Sequence, residues 1–406
     1  MPDQMSTVMT SPAETGSSLR PGIGGQTSEA LEAWFRARAE PAFRARQVLD
    51  AVWRADVPGA EAISTLPAIT RSDLDRAFRW DTVAGSEFVV ADGGRTEKAL
   101  HRLGDGVAIE SVLMHYPAGR DRRERNTLCI SSQAGCAVAC PFCATGELGF
   151  GRNLETAEIL DQVRSAARRL SARGRRLTNI VFMGMGEPLL NLDRVLEAVE
   201  ALNDPVRFGL GARHITVSTS GVVPGIRRLT ALGPQFTLAV SLHAARDSLR
   251  DVLVPLNRRW PVAEVVAAAR EHAAATGRRI SYEVTMIGGV NDGEVDADAM
   301  AMLLRGTLAH VNLIPMNPVA HTPWSASPMA VIERFAARLR LDGLPVTIRR
   351  NRGQEVGAAC GQLAADRAGR PPGAALARRR ARLEATSAAA LRGERSREGL
   401  PHGVDA

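Results

Sequence analysis

Four of the chain's five cysteines fall between residues 129 and 143, within "LCISSQAGCAVACPFCATG". Three are spaced Cys136-x3-Cys140-x2-Cys143, with Cys129 seven residues upstream and Cys360 far along the chain. A loop with that spacing can wrap three thiolates round one face of a cuboidal [4Fe–4S] cluster, which has four irons and so keeps one open. An open iron can chelate a substrate or cofactor. A structural zinc site wants four closed ligands, so zinc would need Cys129 as the fourth. Plain buried thiols fit less well, because "AVACPFCATG" is polar and rich in turn residues. So few cysteines in so long a chain, gathered in one place, do not make a disulfide scaffold.

Such a loop needs a frame to hold it. From Thr127 the sequence repeats strand, loop and helix. The strand segments are "TLCISS", "TNIVFMGMG", "HITVSTSG", "FTLAVSLH", "RISYEVTMI", "HVNLIPMNP" and "PVTIRR", with apolar helical stretches such as "AEILDQVRSAARRL" between them. Repeated β-α units with apolar strands predict an α/β fold with a parallel sheet. Six such units are expected to curl into a partial (β/α)6 TIM-like barrel with its site at the C-terminal strand ends. Those ends read "SSQAGC", "MGMGEP", "STSG", "SLH" and "PMNP", all small or polar residues.

Five regions are expected. Residues 1–27 are polar, Gly/Pro/Ser-rich and read as disordered. Residues 28–79 read as a small helical accessory domain, with "FRARQVLDAVW" apolar at helical spacing. Residues 80–126 read as hairpins around Gly-Asp turns. The barrel and a C-terminal cysteine segment occupy 127–365, and an Ala/Arg-rich tail, expected to be disordered, covers 366–406.

The formal charge is +7, which raises a nucleic-acid partner. The tail alone carries nine arginines against five acids, and Lys98 is the sole lysine, so biased composition accounts for much of the charge. Arg44, Arg46 and Arg54 of the helical region are candidates to grip RNA, or else form a solvated basic face. The first thirty residues hold no apolar run like a secretory signal, and nothing approaches the roughly 20 apolar residues of a membrane span. A cytoplasmic protein with no membrane partner is expected.

The open-iron cysteine spacing resembles the radical SAM superfamily. The ordered set "LCISSQAGCAVACPFCATGELGFGRNL", "VFMGMGEPLLN", "ITVSTSGVVPGI", "AVSLHA", "VNLIPMNP" and "AACGQLA" resembles, more narrowly, the RlmN family. That resemblance runs from about Phe43 to about Ala364. It implies a radical SAM barrel that methylates C2 of an adenosine in 23S ribosomal RNA, at the peptidyl transferase centre, and of an anticodon-loop adenosine in tRNA. It implies Cys136, Cys140 and Cys143 as ligands of a [4Fe–4S] cluster whose fourth iron holds S-adenosylmethionine, two molecules of which are used per turnover. It assigns Gly186, Glu187, Ser218, Ser241, Leu242, His243 and Asn317 to S-adenosylmethionine. Glu187 would pair with its ammonium, and the later residues would meet ribose and adenine. Phe142 would shield the cluster or contact the adenine, or simply pack.

C2 of adenine is electron-poor and does not attack a methyl sulfonium, so a soft protein nucleophile, a thiolate, must take the methyl first. The resemblance makes Cys360 that acceptor, giving S-methylcysteine and then a covalent link to RNA. It makes Cys129 the thiol that resolves the link, leaving a Cys129–Cys360 disulfide for cellular thiols to reduce. Glu110, in "AIESVLM", matches the acceptor of the C2 proton. A flavodoxin-like electron donor, a thiol reductant and a monomeric enzyme are implied. The target base must be unpaired or flipped to reach the site. The alternatives are a relative that methylates C8 of the same rRNA adenosine, giving antibiotic resistance, and a non-enzymatic Fe–S or zinc RNA-binding protein.

Overall fold

A computed structural model describes residues 20–120, 123–349, 352–363 and parts of 380–388. Residues 1–19 and most of the expected tail lie outside the described residues.

The N-terminal helices are α1 (Ser28–Arg36), α2 (Arg44–Trp53) and α3 (Ala68–Ala77). Thr27 caps α1 by accepting from Ala30 N. Leu31 and Phe35 of α1 meet Val48, Leu49 and Val52 of α2 in a small apolar core of their own, the i, i+3, i+4 faces that the periodicity predicts. Residues 20–27 depart from the expected disorder. Ile23 is 1% exposed in that core and its N–H donates to Arg79 O, so one large apolar side chain anchors the segment.

Next come three antiparallel strands, β1 (Val83–Ala91), β2 (Thr96–Leu103) and β3 (Ala108–Tyr116), with β3 antiparallel to β4 (Arg125–Cys129). β5 (Gln133–Gly135), α4 (Ala144–Leu148), β6 (Phe150–Asn153) and α5 (Thr156–Ser171) follow. The barrel then alternates β7 (Asn179–Phe182), α6 (Leu192–Asn203), β8 (Ile215–Thr219), α7 (Val223–Leu232) and β9 (Thr237–Ser241). It continues with α8 (Asp247–Leu253), α9 (Val262–Thr276), β10 (Ile280–Met286), α10 (Glu294–Leu304), β11 (Ala309–Pro315), α11 (Met329–Leu341) and β12 (Val346–Ile348).

One sheet of ten strands runs β1-β2-β3-β4-β7-β8-β9-β10-β11-β12, with every neighbour pair from β4 onward parallel. Six helix-bearing units lead from β4 to β12, the partial (β/α)6 barrel expected, and the sheet stays open between β12 and β1. One face of the strands is apolar and packs under the helices: Ile180, Phe182, Val217, Leu238, Val240, Val284 and Leu313 line up across the sheet and are all within 1% of full burial, while the other face carries Ser218, Ser241 and Glu283.

The β1–β3 meander has a buried polar centre. The His101 imidazole lies between Ser86 Oγ and Ser111 Oγ at 2.8 Å each, and burial pushes its pKa down to about 4. An unfolded histidine takes its proton near pH 6.5. Below that pH the unfolded chain therefore binds a proton that the folded chain refuses, and stability falls as pH drops toward 4. Between pH 7 and 5 this histidine is expected to remove about 2 kcal/mol of stability. His101→Gln, compared with the native chain by urea midpoints at both pH values, should lack that part of the loss.

Candidate active site

The cysteine loop leaves the C-terminal end of β4 and is closed by β5 pairing with β6. Cys136 N donates to Gly149 O at 2.8 Å and Cys143 N to Cys140 O at 3.1 Å. Gly135 has φ +77, and a Cβ there would lie 1.9 Å from Gly149 O, so only glycine lets the loop turn at this point. Burial pushes all three thiols up, Cys136 to about 12 and Cys140 well above the ordinary thiol range, so the bare trio stays protonated at neutral pH and thiolates there need cations beside them. Among the described residues no three His, Cys, Asp or Glu side chains converge on a single-ion site. Zinc needs that convergence, whereas a cuboidal cluster, whose irons each take one thiolate, does not. The donor set fits the cluster.

A cavity of about 160 Å³ opens beside the trio. Its walls include Cys136, Cys140 and Cys143 together with Gly186, Glu187, Ser218, Ser241, His243, Asn317 and Cys360. Ten of the thirteen expected site residues thus meet in one place, drawn from the ends of strands far apart in sequence. Glu187 accepts from Ser220 N and Oγ through one oxygen and from Leu189 N through the other, so its carboxylate is fixed in direction. Burial raises its pKa. His243 holds φ +61; its Nδ1 accepts from Thr285 N, which leaves Nε2 as the N–H, and its ring meets Phe142 at 4.7 Å. Burial pushes its pKa down to about 3, so it is a neutral donor.

Leu242 and Glu110 sit otherwise than expected, and Gly186 meets a constraint beyond the cavity it lines. Gly186, at φ +100, is glycine because a Cβ would lie 2.5 Å from Gln133 Cβ; the close approach is to the neighbouring strand end as well as to the cavity. Leu242 points into the hydrophobic core at 0% exposure, and what it offers the site is its backbone carbonyl, held by Arg250. Glu110 lines neither of the inner cavities: its carboxylate pairs with Lys98 at 3.1 Å, two residues along β3 from Val112.

A second cavity of about 90 Å³ holds Cys129 and Cys360 together, with Cys143, Met183 and Gly361 shared between the two spaces. Segment 352–363 carries Cys360 back across the cysteine loop. Ala144 N donates to Gly361 O at 2.7 Å, Thr145 Oγ1 to Leu363 O at 2.7 Å and Asn317 Nδ2 to Cys360 O at 2.9 Å. Burial, with Cys360 adding to it, pushes the Cys129 thiol up to about 12, and Arg349 opposes the shift. Both cysteines are free thiols.

Sequence reasoning missed Arg349, Glu283 and Arg250. Arg349 lines both cavities, a fixed positive charge beside the Cys129 and Cys360 sulfurs. Glu283 lines the larger cavity, and its Oε2 is buried with no hydrogen-bond partner, an acceptor open to a ligand. A carboxylate inside the apolar strand "ISYEVTM" was its signal. Arg250 is 0% exposed and ties the strand ends together: Nε donates to Leu242 O at 2.9 Å, Nη1 to Asn257 Oδ1 at 2.8 Å and Nη2 to Ser220 O at 2.6 Å. In "RDSLRDVL" it reads as a solvated helix charge, and no sequence signal marks it. Arg250→Met keeps the volume but strips these carbonyls of donors, at a loss on the order of 3 kcal/mol. Urea unfolding should show that drop. Equilibrium dialysis should show S-adenosylmethionine binding weakened at least tenfold, because Ser220 no longer holds Glu187 in place.

The radical SAM superfamily model matches residues 130–301. A probable dual-specificity RNA methyltransferase RlmN of Parafrankia sp. (strain EAN1pec) is 51% identical over 80% of this chain and 87% of that protein. Another of that name, from Thermobifida fusca (strain YX), is 51% identical over 80% of this chain and 90% of that protein. The crystal structure of a radical SAM methyltransferase from Sphaerobacter thermophilus superposes with a TM-score of 0.82 at 45% identity, covering 85% of this chain and all of that one. With identity at this level over most of its length, the chain belongs to the RlmN family of the radical SAM superfamily.

Proposed function

We propose that this protein is a dual-specificity RNA methyltransferase that forms 2-methyladenosine in 23S ribosomal RNA and in tRNA, through a methyl group carried on Cys360. Membership of the radical SAM superfamily implies a [4Fe–4S] cluster and S-adenosylmethionine. One observation carries the reading: Cys129 and Cys360 face one cavity that shares a wall with the cysteine trio.

Cys136, Cys140 and Cys143 are the residues that would hold the cluster, and Glu187, Ser218, Ser241, His243 and Asn317 those that would orient S-adenosylmethionine. When bound, these groups supply methyl transfer and a carbon-centred oxidant able to take hydrogen from a methyl. The protein's own contribution is position. The hydrogen bonds from Ala144 and Asn317 hold Cys360 beside the cavity where that methyl must be activated. Burial of the surrounding walls excludes water from a reactive carbon.

Cys129, as the thiolate, then attacks the Cys360 sulfur; the sulfur–methylene bond breaks, its electron pair leaves with the carbon attached to C2, a proton completes the methyl, and a disulfide remains for an external thiol to reduce. Burial keeps the Cys129 thiol protonated, and Arg349 on the wall of the same cavity favours the thiolate that the attack requires. Glu110, with Lys98 as counter-ion, is proposed to accept the C2 proton. A flavodoxin-like donor would supply electrons to a monomeric enzyme. No helix among the described residues is long and apolar enough to cross a membrane.

Cys129→Ala should leave methyl transfer to Cys360 intact and trap the protein covalently on RNA, seen as a nuclease-sensitive shift on denaturing gels. Purified variant without such an adduct would remove Cys129 from the resolving role. Mass spectrometry of nucleosides from RNA treated with the native enzyme should find 2-methyladenosine. Recovery of 8-methyladenosine instead would overturn the C2 assignment.

A further inference from the structure

A cleft of about 1120 Å³ lies away from the cysteines, where β4, β7 and β8 begin. One wall is the end of α2, residues 52–56, and another is α5. Seven arginines line it against two acids, Asp56 and Glu124, a surplus of five positive charges in a chain whose total is +7. Arg164 and Arg168 are occupied with Asp56 at 3.4 and 3.2 Å. Arg54, Arg123, Arg125, Arg175 and Arg176 are all exposed; Arg54 pairs with Asp50 at 3.3 Å and Arg175 with Glu124 at 3.5 Å, whereas among the described residues neither Arg123 nor Arg176 has a carboxylate within ion-pair distance. Trp53 adds a buried indole N–H with no partner, beside Phe208 at 6.2 Å.

The cleft also adjoins the thiol pair. Tyr116 is stacked between the Arg125 and Arg352 guanidiniums, each 4.3 Å from its ring. Arg125 faces the cleft, whereas Tyr116 and Arg352 line the cavity of Cys129 and Cys360. One three-membered stack therefore separates the two spaces. Of the helical arginines considered from sequence as RNA contacts, Arg44 and Arg46 are engaged with Glu40 and Asp50 outside the cleft, and only Arg54, itself paired with Asp50, lines it.

We propose that this cleft binds the phosphate backbone of the RNA substrate and leads the strand toward the Cys129–Cys360 cavity. The inference rests on the RNA-methyltransferase reading and adds a contact site to it. Planar guanidiniums that lack carboxylate partners match phosphate oxygens bidentately. The cleft is larger than the 300–1,000 Å³ or so of a single small-molecule site, as a run of nucleotides requires. Its charge is sequence-independent, which suits an enzyme that must accept two different RNAs.

The test is fluorescence anisotropy of a labelled RNA stem-loop with full-length, cluster-loaded enzyme at several salt concentrations. Arg123→Ala with Arg176→Ala should weaken binding roughly tenfold and lower the slope of log K against log salt by about 1.5, two phosphate contacts' worth. The control Arg227→Ala with Arg334→Ala, exposed residues outside the cleft, should bind as the native enzyme does. Methylation of Cys360 without RNA should be unchanged in both variants. Native affinity and slope in the first variant would overturn the cleft site while leaving the methyltransferase reading intact. Native enzyme that binds no RNA at all would instead overturn the underlying function, and the cleft with it.

Discussion

The hydrogen bond from Ala144 N to Gly361 O is the contact on which the site depends. Ala144 follows the last of the three clustered cysteines and Gly361 follows Cys360. That bond, with Thr145 Oγ1 to Leu363 O, fastens a segment beyond the last barrel strand onto the loop after the first. Two chain regions more than two hundred residues apart become one wall. Without this junction Cys360 would sit on a segment with no regular secondary structure beyond one short turn, facing nothing in particular.

The rest of the frame serves the same end. The apolar strands lock the barrel, but the loops at their ends are irregular and carry unpaired backbone groups. Arg250 answers that need for β8 and β9, and Glu187 does so for the loops after β7 and β8. Each is a buried side chain whose hydrogen bonds are to backbone, amide or hydroxyl groups. Each holds still a position from which a ligand's charge or hydroxyl can be met. Preorganisation of this kind is what a reaction through a free-radical carbon requires, since misplacement by an ångström would let the wrong hydrogen be taken.

The molecule also separates two kinds of electrostatics. The inner cavities bury Cys129 and His243, and that burial holds the thiol and the imidazole neutral. The large cleft beside α2 is open to solvent and carries more arginines than acids. Between them stands the stack of Arg125, Tyr116 and Arg352. A polyanion can be gathered by the second environment while the chemistry stays in the first, where a nearby phosphate would otherwise disturb the thiols.

The sequence by itself determined the periodic elements and the cysteine spacing, because both are local. Alternating apolar strands and amphipathic helices can pack in few ways, and the x3 and x2 intervals place three sulfurs on one loop whatever surrounds them. The strand-end residues Glu187, Ser218, Ser241, His243 and Asn317 were legible for the same reason: a barrel gathers its strand ends. Only the tertiary structure decided that Leu242 faces the core, that Glu110 is paired with Lys98, and that Arg250, Glu283 and Arg349 belong to the site. A charged residue in a helix or at a strand end looks solvated in one dimension. Whether it is buried, and against what, depends on residues tens or hundreds of positions away. The same holds for the arginines of the cleft: composition supplied them throughout the chain, and folding alone brought seven to one surface, with Arg123 and Arg176 left without a carboxylate partner among the described residues.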